Sequence, residues 1–182
     1  GSSNAWTELA LFNTASLAHR SSVPRMVSLR MLGHEPELVL EASMGTINWP
    51  GPRFTVEQAM ANPELARYRD LRPERGDFGV VAEVDGVAIG LCWVLFLPEE
   101  EPGFGFVAVD VPEYAIWVRD GHRRRGLARR LTRAVVAEAR CRGLPALSLS
   151  VEANNPSRFL YLAEGFVPVP GREDDGVMVL AL

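Results

Sequence analysis

The sequence predicts one α/β domain whose mixed, largely antiparallel sheet is flanked by helices. Two apolar runs within residues 78–97 flank Asp85-Gly86, which is typical of two antiparallel strands joined by a tight turn. The segment Tyr114–Val118 is β-branched and aromatic, as a buried strand should be, and an amphipathic helix follows it. The apolar residues of that helix recur at helical spacing, at Leu127, Leu131, Val135 and Ala139. With 182 residues and 47% hydrophobic content, the chain can bury a sizeable single core.

The first third of the chain predicts one strand and two helices. Residues 4 to 22 carry little pattern, with a short helix from Thr7 to Arg20 as the candidate, and Gly1–Ser3 are interpreted as a cloning remnant. Met26–Leu32 alternates like a strand, and Glu35–Met44 reads as a helix with a proline in its first turn. The range Phe54–Arg69 contains a second predicted helix, entered through Thr55 as cap with Gln58 at the spacing of a capping box.

The last third predicts strands on both sides of a short helix. Ala146–Glu152 alternates as a strand, and Asn155–Ala163 reads as a helix capped by Asn154 or Asn155. Phe166–Val169 and Gly176–Leu182 then close the sheet as a further hairpin, with the turn between them. The chain shows no internal repeat.

The turn between the Tyr114–Val118 strand and the following helix predicts an anion site. Residues 119–142 hold nine Arg against Asp120 and Glu138, although the whole chain carries a net charge of −4. Gly126 lies where the helix begins, and a helix start presents unpaired backbone N–H groups at the positive end of a dipole. Every basic residue of the chain is Arg, so the placement of the charge is more informative than the choice of Arg.

Composition excludes several classes of protein. No apolar run is long enough to span a bilayer and no leader pattern begins the chain, which predicts a soluble, cytoplasmic protein. Cys92 and Cys141 lack metal-ligand spacing, so neither a zinc site nor a disulfide framework is expected.

Two motifs resemble the GCN5-related N-acetyltransferase (GNAT) family. The run Arg123 to Ala128 (RRRGLA) matches the signature Arg/Gln-x-x-Gly-x-Gly/Ala, and Asn155 to Phe166 (NPSRFLYLAEGF) is similar to the later Asn-Pro…Leu-Tyr…Gly-Phe segment. The resemblance covers residues 26–182 and leaves residues 1–25 as an N-terminal extension. It implies that acetyl-CoA is the co-substrate, without a metal, and that backbone N–H groups of the signature turn bind its pyrophosphate. The residues implied in that contact are Arg123, Arg124, Arg125, Gly126, Leu127, Ala128 and Arg129.

The resemblance also implies roles outside the turn. The end of the strand would leave its neighbour, so that the backbone of Ile116, Trp117 and Val118 binds the pantetheine arm, and the N–H of Trp117 or Val118 would polarise the thioester. Tyr161 matches the tyrosine that protonates the departing thiolate, although it could instead only pack its helix against the sheet. Asn155 is expected to cap its helix and to contact the pantetheine arm.

Glu113 stands where some members of that family carry a base. It would deprotonate the amine directly or through water, because an ammonium has no lone pair with which to attack. An ordinary carboxylate at a strand edge is the alternative.

Three acidic residues, Glu99, Glu100 and Glu101, precede the strand on the implied acceptor side. They would attract a cationic amine, or they belong to a solvated loop without a partner.

The resulting hypothesis is an N-acetyltransferase that moves an acetyl group from acetyl-CoA to a primary amine by direct attack in a ternary complex. Two alternatives stay open, a non-catalytic acyl-CoA sensor and a nucleic-acid-binding module, and overall acidity disfavours the second. The partners expected are acetyl-CoA and a small-molecule or protein amine, with no nucleic acid and no membrane. The sequence leaves open the acceptor and a homodimer.

Overall fold

The computed structural model of the chain describes residues 25–182, which form one domain around a seven-stranded open sheet. The strand order is β1-β2-β3-β4-β5-β7-β6, and every neighbouring pair is antiparallel except β4 and β5. The strands are β1 (Ser28–Met31), β2 (Phe78–Val84), β3 (Val87–Leu95), β4 (Glu113–Val118), β5 (Ala146–Ser150), β6 (Val167–Pro168) and β7 (Val177–Ala181). This architecture confirms the predicted mixed, largely antiparallel sheet, while the predicted helix Thr7–Arg20 lies outside the described residues.

The segment before β2 holds three α-helices and two 3₁₀ turns. These are α1 (Pro36–Ile47), α2 (Val56–Ala61) and α3 (Pro63–Ala66), followed by turns at Arg67–Arg69 and Pro73–Arg75. The capping box of α2 is present, with the Gln58 N–H 3.2 Å from Thr55 Oγ1 and the Thr55 N–H 3.0 Å from Gln58 Oε1.

The helix predicted within Phe54–Arg69 is present, but the segment is divided into two short helices. The helix breaks at Asn62, whose ψ of 111° is extended, because Pro63 disfavours the helical conformation in the residue before it. The Asn62 side chain then caps α3 by accepting the Glu64 N–H at 2.9 Å. The chain after the break is free to turn Tyr68 toward the sheet, where the Trp93 indole N–H donates to the Tyr68 carbonyl at 3.0 Å.

The two predicted hairpins are confirmed. Asp85 and Gly86 join β2 to β3 with φ values of 51° and 77°, the paired positive values that a tight hairpin turn requires. The strands β6 and β7 pair antiparallel at the far edge of the sheet.

The sheet buries a different core on each face. On one face, alternate residues of β2, β3 and β4 pack against α4 (Leu127–Cys141), whose buried stripe is Leu127, Leu131, Thr132, Val135, Val136 and Ala139. The second helix on that face, α5 (Ser157–Ala163), begins two residues later than predicted, after Asn155. On the other face, Leu91, Trp93 and Trp117 pack against α1 and Tyr68. The two cores therefore lie on opposite sides of β4.

The parallel neighbours β4 and β5 meet at one position. Glu113 pairs with Ser148, and the register between the two strands ends there, although β4 continues to Val118. A gap therefore opens beside the second half of β4, below the turn that leads into α4.

Among residues 25–182 no helix is long and apolar enough to cross a membrane.

Candidate functional site where β4 leaves β5

The backbone of β4 presents alternate amides to the gap. The Arg119 N–H donates to the Ile89 carbonyl at 2.8 Å, and because amides alternate along a strand, Trp117 also faces β3. Ile116 and Val118 face the gap instead. The Val118 carbonyl faces the same side and accepts the Arg123 Nε–H at 3.1 Å. Of the two thioester donors that the sequence suggested, the geometry thus excludes Trp117, whose indole packs against α1 beside Gly45.

The turn into α4 forms a concave array of N–H groups. Arg124 and Gly126 have φ values of 60° and 75°, and such left-handed residues, alternating with right-handed ones, direct successive N–H groups to one side. None of the N–H groups from Arg124 to Arg129 meets an acceptor among the described residues, and the helix ladder starts with the Arg130 N–H on the Gly126 carbonyl at 3.1 Å. The left-handed backbone conformation of Arg124 costs about 1 kcal/mol or more, and strained residues of this kind are concentrated at functional sites.

The arginine side chains around this turn fall into two groups. Arg124 and Arg125 are exposed at its rim, beside the free N–H groups. Arg129 and Arg133 instead pair with Glu164, at 2.9 Å and 3.0 Å. Full charge is therefore available at the rim, and part of the charge farther along α4 is taken up within the domain.

Tyr161 of α5 lies on the α4 face of the sheet. Its ring is buried and meets the Tyr114 ring edge to face, with 5.7 Å between the centroids, and it also contacts Phe166. Burial raises the pKa of the Tyr161 hydroxyl above its usual value, so the phenol keeps its proton at neutral pH. Asn155 caps the same helix through Oδ1, which accepts the Ser157 N–H at 2.9 Å. This contact assigns the cap to Asn155 rather than Asn154.

Glu113 lies on the opposite face, at the point where the two strands separate. It is 3% exposed, and the Tyr68 hydroxyl donates to its Oε2 at 2.6 Å. Burial raises the pKa of Glu113 to about 7, against the opposing effects of Tyr68 and of the positive charges of Arg67 and Arg172. A carboxyl group with this pKa can both accept and release a proton near neutrality, which is the property of a general base.

The Pro98–Phe106 loop closes over Glu113. A Cβ atom at Gly103 would overlap the Glu113 carboxylate, and one at Gly105 would lie 2.5 Å from the Leu149 carbonyl carbon. Phe104 stacks on Tyr68 and donates its N–H to the Tyr68 hydroxyl at 2.8 Å. The loop and the carboxylate are therefore in direct contact, which only glycine at 103 allows.

Two arginines hold this loop from opposite ends. Arg67 donates to the Pro102 carbonyl, and Arg172 donates to the Phe106 carbonyl at 3.3 Å. An open cleft of about 330 Å³ lies beside the loop, with Glu64 and Asp175 among its lining residues. Glu99, Glu100 and Glu101 are exposed on the loop and do not line this cleft.

Residues 25–182 contain no cluster of three or more side chains suited to holding a metal ion.

Sequence reasoning did not find Tyr68. This residue lies in the Phe54–Arg69 range, for which the sequence predicts only a helix, and its contact with Glu113 joins residues 45 positions apart.

We expect Glu113 to make the stability of the protein depend on pH. Its pKa is higher in the folded protein, about 7 against an ordinary 4.5, so the folded state binds the proton more tightly than the unfolded state. Stability should therefore fall as the pH rises from about 4.5 to 7, by on the order of 3 kcal/mol. Urea denaturation of the wild type and of Glu113→Gln at pH 5 and pH 8 measures this fall. The variant should lose most of it, whereas Glu101→Gln in the exposed loop should keep it; equal pH dependence in all three proteins would contradict the assignment.

The fold is shared with solved structures from other organisms. A GCN5-related N-acetyltransferase from Ralstonia eutropha JMP134 is 20% identical, with a TM-score of 0.63 and coverage of 80% of this chain and 95% of that one. The protein yncA of Salmonella typhimurium, solved with acetyl-CoA, is 20% identical over 86% of this chain and 94% of that one, with a TM-score of 0.59. The paia N-acetyltransferase of Thermoplasma acidophilum, solved with coenzyme A, is 15% identical over 86% of this chain and 99% of that one, also with a TM-score of 0.59.

At such identities the likeness demonstrates the fold. No curated protein sequence matches this chain. The family model described as Acetyltransferase (GNAT) family matches residues 43–166, a range that contains α4, α5 and the gap between β4 and β5. Because that match spans more than half of the chain, the protein belongs to the GNAT acetyltransferase family.

Proposed function

We propose that this protein transfers an acetyl group from acetyl-CoA to a primary amine by direct attack within a ternary complex. The observation that carries the proposal is the half of β4 that has no β5 residue paired with it, with an anion-binding turn at its end. Tyr161 packs on Tyr114 of β4 from one face of the sheet, and Glu113 lies on the other face at the start of the same strand. Cys92 is a buried member of the core that contains Tyr161, and Cys141 is exposed at the end of α4, so neither thiol is accessible at the anion-binding turn. A covalent acetyl-enzyme step is therefore not invoked.

The signature turn would bind the pyrophosphate of acetyl-CoA. Its free N–H groups and its left-handed residues fit a doubly charged anion, and the presence of acetyl-CoA in yncA and of coenzyme A in the paia protein supports this ligand. Ala128 and Leu127 contribute backbone groups, and Arg124 and Arg125 add charge at the rim. Arg123 contributes mainly by holding the end of β4 through Val118.

The pantetheine arm would then enter the gap beside β4. The Ile116 and Val118 amides face that gap and have no strand to pair with, so they are available to the amide groups of the arm. Asn155 uses Oδ1 for its helix, which leaves the Nδ2 donors for the same arm. The Val118 N–H would polarise the thioester carbonyl, where negative charge develops during attack.

Two side chains would move the protons. Glu113, directly or through water, accepts a proton from the ammonium, and the free amine nitrogen then bonds to the acetyl carbon. After the attack the nitrogen carries a positive charge, and it releases its second proton to water. When the carbon–sulfur bond breaks, Tyr161 donates its proton to the sulfur and recovers one from solvent. The products are an acetamide and free CoA, so no oxidant or metal enters the balance.

The alternatives are less well supported. A non-catalytic acyl-CoA sensor would need the anion turn alone and gives no reason for a carboxyl group held at a pKa of about 7 beside the gap. A nucleic-acid-binding module would need the charge of α4 free, whereas Arg129 and Arg133 are paired with Glu164.

A screen of primary amines tests the proposal directly. The purified protein and acetyl-CoA are incubated with polyamines, amino acids, aminoglycosides and lysine peptides, and CoA release is followed with mass detection of the product. We expect acetylated product from at least one class. CoA release with acetate as the product would contradict the transferase proposal, and tight CoA binding with no turnover would favour the sensor.

Gly126→Ala should weaken acetyl-CoA binding by about tenfold or more, because a φ of 75° strains any side chain and the N–H array depends on it. Calorimetric titration with CoA measures the effect. Gly143→Ala is the matched control, since Gly143 has a φ of 71° at the other end of α4 with equally open surroundings. Equal loss of affinity in both variants would mean that the change acts through the stability of the helix.

Tyr161→Phe should lower kcat by about 100-fold with less than about a twofold change in acetyl-CoA affinity, because the ring still packs while the acid is lost. Tyr114→Phe is the control, as it removes a buried hydroxyl that binds Thr132 within the same ring cluster. Steady-state assays on both variants, with their melting temperatures, separate chemistry from packing. Unchanged turnover in Tyr161→Phe would remove this tyrosine from the mechanism.

A further inference from the structure

The carboxyl group of Glu113 is sealed from solvent. The side chain is 3% exposed, and its Oε1 atom, which has no hydrogen-bond partner, has almost no surface open to water. A molecule that exchanges a proton with this group must come within about 3 Å of it, so a cover has to move first. The residues that cover the carboxyl group therefore decide when it can act.

The two covers of the carboxyl group differ in how firmly they are built into the domain. Tyr68 packs on the core under α1, and its carbonyl accepts the Trp93 indole N–H at 3.0 Å. The other cover is the segment Pro98–Phe104, called the lid below. Leu97 and Gly105 at its two ends are buried, whereas every residue between them is exposed or half-buried. The lid buries the least apolar surface, so it opens at the lower cost.

Few contacts hold the lid closed. Arg67 donates to the Pro102 carbonyl, and Phe104 contacts Tyr68 through both its N–H and its ring. Arg172 reaches the Phe104 carbonyl only at 3.5 Å, the limit of a hydrogen bond. The open cleft of about 330 Å³ lies beside the lid, which leaves space for it to move.

We propose that Pro98–Phe104 is a lid coupled to the charge on Glu113, closing over the neutral carboxyl group and opening when that group ionises. The inference rests on the proposed function, in which Glu113 is the base, and adds to it a gate for the acceptor. A buried carboxylate lacks hydration and an exposed one is hydrated, so ionisation favours the open lid. On opening, the carboxyl group releases its proton to solvent and meets the amine as a carboxylate.

The groups that face Glu113 leave it as the one that titrates. Arg67 and Tyr68 act on it from the 3₁₀ turn, Arg172 from the segment before β7, and Ser148 lies beside it in β5. The guanidinium groups carry a fixed positive charge, and burial raises the pKa of Tyr68 above its usual value. The lid meets the carboxyl group with glycine and brings no charged side chain against it.

Linkage gives the sign and the size of the coupling. Under the closed lid the pKa of Glu113 is raised to about 7, against an ordinary 4.5. Closure is therefore fully favoured below the ordinary pKa and is lost as the pH rises through 7. If opening restores the ordinary pKa, the ratio of open to closed lid rises by up to about 70-fold between pH 5 and pH 8.

Hydrogen exchange of the Phe104 amide measures the opening, because this N–H is bonded to Tyr68 when the lid is closed. After correction for the intrinsic exchange rate, its opening constant should rise at least about tenfold from pH 5 to pH 8 in the wild type and stay constant in Glu113→Gln. It should also exceed the constant of global unfolding, from urea denaturation at the same pH, by at least about tenfold. An opening constant that is independent of pH, or equal to that of global unfolding, would overturn the inference.

Gly103→Ala should hold the lid open, since a Cβ atom there would overlap the Glu113 carboxylate. A ¹³C titration should show the Glu113 midpoint falling by about 1 pH unit or more toward its ordinary value. Gly33→Ala is the control, because the added Cβ would lie 3.7 Å from Glu35 Oε2, an ordinary contact. A midpoint in Gly103→Ala equal to that of the wild type would show that the lid does not bury the carboxyl group.

Phe104→Ala loosens the lid without a clash and without a change of charge. It removes the ring that stacks on Tyr68 and should raise the opening constant of the amide at position 104 by about tenfold. Phe159→Ala is the control, since Phe159 is also an exposed phenylalanine but lies on α5. Equal opening constants in the wild type and Phe104→Ala would count against the lid as assigned.

The acceptor reaction supplies a separate readout. With the amine identified above, the acidic limb of the kcat/KM profile should move to lower pH in Gly103→Ala and stay in place in Gly33→Ala. Lack of turnover by the wild type with every amine would overturn the proposed function. Hydrogen exchange and the titration need no turnover and would still decide whether the lid follows the charge on Glu113.

Discussion

The separation of β4 from β5 after a single pair is the constraint on which the site depends. A sheet that continued its ladder would pair the amides of Ile116 and Val118 with β5 and leave nothing for a ligand to bind. Because the strands part after Glu113 and Ser148, the polar groups of half a strand stay available inside the domain. The unpaired N–H groups at the start of α4 follow directly after this half of β4, so charged and neutral binding groups lie next to each other along the chain.

The two titratable groups nearest to β4 lie on opposite faces of the sheet. Tyr161 approaches with the core that packs on α4, and Glu113 belongs to the face that packs on α1. Burial acts on both groups in the same direction, because it disfavours their charged forms, yet the consequences differ. For a phenol it secures the proton, whereas for a carboxyl group it brings the pKa close to physiological pH. Burial thus leaves a protonated phenol on one face and, on the other, a carboxyl group whose pKa lies near neutrality.

Local signals in the sequence predicted much of this arrangement. The capping box of Thr55, the Asp85-Gly86 turn and the glycine at the start of α4 are set by neighbours within a few residues, and each is found where expected. Pro63 shows the limit of such reasoning, since the capping box predicts where a helix begins within Phe54–Arg69 but not that Pro63 divides the segment in two. The β4 amides that face the gap depend on strand pairing, which is why Trp117 and Val118 could not be distinguished from the sequence. Tyr68 matters through its tertiary contact with Glu113, and no local pattern marks it.

The loop over Glu113 is held by guanidinium groups, in a chain that contains no lysine. A lysine amine in place of Arg67 or Arg172 would lie near the site as a competing nucleophile, and its acetylation would remove the charge that holds the loop. A guanidinium stays protonated throughout the physiological range and offers no free lone pair to a thioester. The side chains that hold the loop are therefore not acetylated by the reaction that the family carries out. Their hydrogen bonds to the loop remain possible however many times the enzyme turns over.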